Sequence, residues 1–223
     1  MKTLIILHGW GRSRTDWEYF LNQAIDGYTV ITIDLPGFGQ EPLVDATWGI
    51  PEYAKWTVAK IESFNVTDVA LLGHSFGGRI ASYIAAQRPP WLKSLILYAT
   101  PSIYRPSGMI KARNKAAHLA RRLGLKRSVS SNQELAAADQ QGLGAIFRRV
   151  VSFDQTTELP RINVPTLLIW GNRDQAVPVR IAEEMQQLIP NSELQVLDGL
   201  THDAHRENPY LFYGLVKKFI ERA

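Results

Sequence analysis

The chain has 223 residues, 45% of them hydrophobic and 21% charged, a composition of folded globular chains rather than disordered or collagen-like ones. Its length suits one domain carrying an insertion. With no Cys there is no disulfide framework, thiolate metal site or cysteine nucleophile, so covalent catalysis falls to another residue, Ser first. The net charge of +4 keeps nucleic acid in view until the excess is located. From the N-terminus, the apolar run Thr3–Leu7 is too short for a signal-peptide core and reads as a buried strand. No stretch of about 18 apolar residues occurs after it, so no membrane span is expected and the expected location is cytoplasmic.

Short apolar, β-branched runs then recur at Tyr28–Ile33, Asp68–Leu72, Ser94–Ala99, Pro165–Trp170 and Glu193–Leu197. Near-continuous hydrophobicity predicts strands covered on both faces, and helix-compatible stretches between them predict right-handed crossovers. These stretches are Pro51–Phe64, Gly77–Gln87, Pro178–Leu188 and Pro209–Ile220, three of them opening on Pro. The fold class is α/β, a six-stranded, mostly parallel sheet with helices on both faces. The gap from Ala99 to Pro165 exceeds a crossover and must hold structure of its own. We read a helical lid over 101–160, with helices at Ile110–Leu123 and from Ser131, where Glu134 three residues on makes a capping-box pattern.

After the third strand comes Gly73-His74-Ser75-Phe76-Gly77-Gly78, then the helix-compatible Arg79-Ile80-Ala81. Gly-x-Ser-x-Gly between strand and helix suits a turn so tight that side chains two residues either side of Ser75 would clash, lifting the hydroxyl above the sheet edge. The N-terminus of the next helix favours negative charge there. A five-residue pattern also arises in plain Gly-rich turns, so partners are needed.

Acyl transfer requires oxyanion donors. The Phe76 amide is one candidate, and the Trp10 amide, in His8-Gly9-Trp10-Gly11 after the first strand, is the other; Gly9 and Gly11 also fit an ordinary turn. The Trp10 side chain is expected to line the pocket, and His8 reads as structural. A serine nucleophile needs a base and a carboxylate to orient it. Of five histidines, His74 lies within the turn and His118 in the insertion, leaving His202 and His205, with His202 favoured. Asp174, ending Gly171-Asn172-Arg173-Asp174 after the fifth strand, is the candidate acid, although a turn role also fits it; Asp198 and Asp203 lie too near His202 in sequence, and Asp34 suits a loop-stabilising role. No cofactor is called for, and no third and fourth ligand accompanies His202 and His205 for a metal.

Taken together, His8-Gly9-Trp10-Gly11, Asp34-Leu35-Pro36-Gly37-Phe38-Gly39, Gly73 to Gly78, Pro165 to Asp174, and His202 followed by Glu207 and Pro209 resemble the α/β-hydrolase superfamily. The resemblance covers the chain outside the insertion, and its His-x4-Glu-x-Pro spacing fits His202 rather than His205. The opening motifs are similar to those of small carboxylesterases, including pimeloyl-carrier-protein methyl esterases, and of related menaquinone-pathway lyases. The resemblance implies ester hydrolysis with Ser75, Asp174 and His202; a lyase or C–C hydrolase on the same residues, and a silent hydrolase-like binding protein, are the alternatives. Relatives usually have two strands before the one ending in His-Gly, so Tyr28–Ile33 is expected at a sheet edge, open to a homodimer.

Between Pro101 and Gln133 stand Arg105, Lys111, Arg113, Lys115, Arg121, Arg122, Lys126 and Arg127, and no acidic residue. This locates the positive excess. It reads as a solvated helix face or as a surface attracting an anionic or carrier-protein-bound ester. With Tyr104 the one aromatic among them, nucleic acid is not expected.

Overall fold

A computed structural model of the chain describes residues 2–23, 25–43, 45–105 and 133–223. The sheet comprises β1 (Lys2–Leu7), β2 (Tyr28–Ile33), β3 (Val69–His74), β4 (Leu92–Tyr98), β5 (Thr166–Gly171) and β6 (Ser192–Leu197), ordered β2-β1-β3-β4-β5-β6. Every pairing is parallel, with Leu4 opposite Val30 on one side and Ala70 on the other. The six expected strands are present within one or two residues of their expected bounds, and Tyr28–Ile33 lies at an edge.

The helices are α1 (Glu18–Leu21, after a 3-10 turn at Arg14–Trp17), α2 (Ile50–Glu62), α3 (Phe76–Ala86), α4 (Gln133–Gln140), α5 (Gly144–Ser152), α6 (Val179–Leu188), α7 (Ala204–Glu207) and α8 (Pro209–Arg222). Helix α2 starts where the Glu52 carboxylate receives the Gly49 N–H at 2.8 Å, with Pro51 in the first turn; α8 starts on Pro209, with Asn208 Oδ1 accepting the Leu211 N–H at 3.1 Å. These devices satisfy backbone donors that helix starts leave free. The expected helix Ile110–Leu123, the residue Ser131 and the basic residues from Lys111 to Arg127 lie outside the described residues. Helices α1, α5 and α7 are additions to the expected set.

Alternation along the strands divides the core in two. Ile5, Leu7, Leu71, Leu95 and Trp170 pack with Ile50, Tyr53, Ile80, Ile84, Phe147 and Met185 of α2, α3, α5 and α6. Leu4, Ile6, Leu72, Ile96 and Ile169 pack with Trp17, Phe20, Phe212, Val216 and Ile220 on the opposite face. Because β2 and β3 flank β1, the chain reverses its direction of progress across the sheet beside β1, and such a reversal opens a crevice beyond the strands' carboxyl ends.

The stretch between β4 and β5 is fastened at both ends to α3. Arg79 is buried, and its guanidinium donates to the carbonyls of Phe153 at 2.7 Å and Val151 at 3.3 Å. Burial lowers its pKa to about 10, with Asp154 acting in the opposite sense. Gln155 donates from its amide to the Arg79 carbonyl and from its backbone to Ser102, while Ser102 and Ser82 join through their hydroxyls.

Candidate active site

The crevice is bounded by the turns that leave β1 and β3. Ser75 follows β3 and caps α3 at φ 50°, ψ −107°, a positive φ costing on the order of 1–3 kcal/mol in an L-residue. Neighbouring backbone holds it there: Ser75 N–H donates to the Tyr98 carbonyl at 2.9 Å, and Gly77 N–H donates to the His8 carbonyl at 3.1 Å. A Cβ on Gly73 would stand 2.5 Å from the Gly77 carbonyl oxygen, and one on Gly77 2.5 Å from that of Leu7. The glycines are therefore required by close backbone approach.

Trp10 meets Phe76 ring to ring at 5.2 Å, and also meets Phe38 and Phe147, each at 5.0 Å. The amides of Trp10 and Phe76 donate to no other group among the described residues.

Asp174 and His202 come from the turns after β5 and β6. The Asp174 side chain is fully buried; its Oδ1 accepts the Ala176 and Val177 N–H groups, each at 2.8 Å, leaving Oδ2 to accept a hydrogen bond from the His202 Nδ1–H at 2.7 Å. This fixes the tautomer, placing the Nε2 lone pair on the other side of a ring that is 24% exposed. The Thr201 backbone and hydroxyl both donate to Glu207, giving a physical reason for a Glu five residues beyond His202. Among the described residues no hydrogen bond joins Ser75 to His202; such bonds are often long in an unliganded site and tighten with substrate. The ring of His74, the residue before Ser75, lies 4.9 Å from that of His202.

The remaining candidates are held elsewhere. His205 is buried, stacks on Trp17 at 4.5 Å, and pairs through Nε2 with Asp16 at 3.1 Å. Burial alone would raise the Asp16 carboxyl, but the hydrogen bond and charge of His205, with Arg12 and Arg206, hold it below its ordinary value. Asp203 pairs with Arg12 at 2.7 Å, and Asp198 accepts from Asn172. Asp34 accepts the Arg14 and Gln40 N–H groups, a loop-fastening role. His8 is buried, accepts the Leu35 N–H at Nε2 (3.0 Å) and donates from Nδ1 to Gly9 (2.8 Å), and burial lowers its pKa. His74 donates from Nε2 to the His202 carbonyl at 3.1 Å, and burial, then the neighbouring His205 and His202, push its pKa well below 6.5. Among the described residues no group of three or more His, Cys, Asp or Glu is placed to hold a metal.

Beside this cluster a cleft of about 810 Å³ opens between Gly11, Arg12, Asp16, Phe38, Leu143 and Arg206. No described helix is long and apolar enough to cross a membrane.

The family model of the alpha/beta hydrolases matches residues 4–213. The sequence is 27% identical to an uncharacterized hydrolase, YugF, of Bacillus subtilis over 99% of this chain and 90% of that one. It is 25% identical to a pimeloyl-[acyl-carrier protein] methyl ester esterase of Aeromonas hydrophila, over 97% and 94%. Among solved structures, MenH from S. aureus aligns with a TM-score of 0.76 at 25% identity, covering 99% of this chain and 94% of that one. A bromoperoxidase from Bacillus anthracis aligns at 0.80 with 21% identity, over 99% and 92%, a likeness of fold.

Proposed function

The chain belongs to the alpha/beta hydrolase family, and from that premise we propose that it hydrolyses carboxylic esters through an acyl-enzyme on Ser75. The observation that carries this reading is the buried Asp174 carboxylate bonded to Nδ1 of His202 at 2.7 Å, on the rim where Ser75 stands at a strained turn. Ser75 Oγ attacks the ester carbonyl as Nε2 of His202 takes its proton; the new C–O bond makes a tetrahedral oxyanion received by the Trp10 and Phe76 amides. Return of the proton to the alkoxy oxygen releases the alcohol and leaves the acyl group on Ser75. Water then repeats the sequence, giving its proton to His202, which returns it to Ser75 as the acid departs.

The relative named for a pimeloyl-[acyl-carrier protein] methyl ester directs the substrate reading toward carrier-bound or otherwise anionic esters, consistent with the basic run Arg105 to Arg127. We further propose that residues 101–160 act as a lid insertion of a single domain. A fluorophosphonate reporter tests the mechanism: it is expected to label wild-type protein at Ser75 and miss Ser75→Ala. Labelling elsewhere, or wild-type protein that is unlabelled and releases no p-nitrophenol from acyl esters, overturns it.

A further inference from the structure

Tyr98 ends β4 directly opposite His74 in the strand register, and it contacts the chain at two reacting residues at once. Its backbone carbonyl accepts the Ser75 N–H at 2.9 Å. Its hydroxyl donates to the His202 carbonyl at 2.5 Å, where Nε2 of His74 also donates. A carbonyl oxygen has two lone pairs, so these two donors occupy it fully.

The Tyr98 ring is itself held on several sides. It stacks on His74 at 4.5 Å and 19°, and meets Phe212 at 4.6 Å. Its hydroxyl oxygen lies 3.4 Å from the His205 backbone nitrogen and 3.3 Å from His205 Nδ1, and His205 continues to Asp16. The side chain is fully buried, and burial raises its pKa, so the hydroxyl keeps the proton it donates.

We propose that Tyr98 is a positioning residue for the reaction: through its backbone it sets Ser75, and through its hydroxyl, together with His74, it sets the loop carrying His202. A buried tyrosine serving packing alone would suffice with its ring. Here the hydroxyl is bonded to the main chain of the base itself. This role rests on the assignment of Ser75 as nucleophile and His202 as base.

The test is Tyr98→Phe in the full chain, which keeps the ring on His74 and Phe212. Turnover of p-nitrophenyl butyrate is measured together with the number of sites titrated by a fluorophosphonate. Misplacement of a base lowers turnover without loss of binding. The expected result is kcat lower by about tenfold, KM within about twofold, and full labelling stoichiometry at Ser75. Unchanged kcat, or a loss matched by an equal loss of titratable sites, overturns the proposal. Should Tyr98→Phe not fold, His74→Gln, keeping a donor, is expected to turn over several-fold faster per titrated site than His74→Leu; equal rates overturn it. If wild-type protein is not labelled at Ser75, or His202→Ala turns over normally, the triad reading fails and this one with it. A normal wild type with an indifferent Tyr98→Phe removes this one alone.

Discussion

Glu207 receives Thr201 twice, through the backbone N–H at 2.8 Å and through the hydroxyl, so the residue before His202 is tied to the end of α7. An exposed carboxylate contributes little to global stability, but this one acts on a loop whose placement matters. Glu207→Ala is expected to cost about 1 kcal/mol in urea unfolding and to lower kcat several-fold. A loss of stability with unchanged kcat would separate the tie from catalysis.

Asp174→Asn preserves shape, and its amide oxygen still accepts the Ala176 and Val177 N–H groups. What it loses is the acceptor for the Nδ1 proton of His202. The corresponding exchange in a serine protease lowers turnover about 10⁴-fold through the wrong tautomer. A fall on the order of 10³–10⁴-fold in kcat, with the thermal midpoint nearly retained, is the expected outcome in steady-state assays and calorimetry. Activity within tenfold of wild type would remove Asp174 from its proposed role.

Two glycines should respond to Ala in opposite directions. At Gly77 the added methyl meets the Leu7 carbonyl oxygen at 2.5 Å, whereas at Gly214, inside α8, nothing lies within 4 Å. Gly214→Ala is expected to raise stability by about 0.5–1 kcal/mol, and Gly77→Ala to yield little folded, labelled protein. Urea midpoints and fluorophosphonate titration distinguish the two.

His8 and His74 impose a pH dependence on stability. Burial lowers both pKa values from the ordinary 6.5, for His74 well below it. As pH falls, the unfolded chain therefore binds these protons first, so stability is fully present above about pH 6.5 and is lost progressively below it, each group contributing at most about 1.4 kcal/mol per pH unit. In urea titrations from pH 7 to 5, His8→Gln should flatten the decline by up to one proton. An unchanged slope would mean that His8 takes up its proton in the folded chain as readily as in the unfolded one.

Strand positions were readable because both faces of the sheet are covered, leaving continuous apolar runs such as the one in β5, buried at every position. Helix α5 carried a legible spacing in Ile146, Phe147 and Val150, all buried, but the long insertion obscured it. Helix α1 is too short for periodicity and is held by burial of Trp17 and Phe20 against residues from the other end of the chain. The motif residues around Ser75 announced themselves through local glycine chemistry. Tyr98 could not, because its significance is the distance from its hydroxyl to a carbonyl 104 residues onward, and an apolar strand end with a terminal Tyr looks the same whether or not that bond exists. The pairings of Asp16 with His205 and of Arg12 with Asp203 are likewise long-range.

The Arg79 anchorage has a bearing on how such a chain can diversify. A buried cation whose guanidinium donates to main-chain carbonyls of Val151 and Phe153 asks nothing of the side chains at those positions. With Gln155 tied to Ser102, the exit and re-entry points of the insertion are fastened by backbone groups that most replacements would preserve. The fastening of these two ends to α3 therefore survives side-chain change at Val151 and Phe153, provided that their carbonyls keep their place.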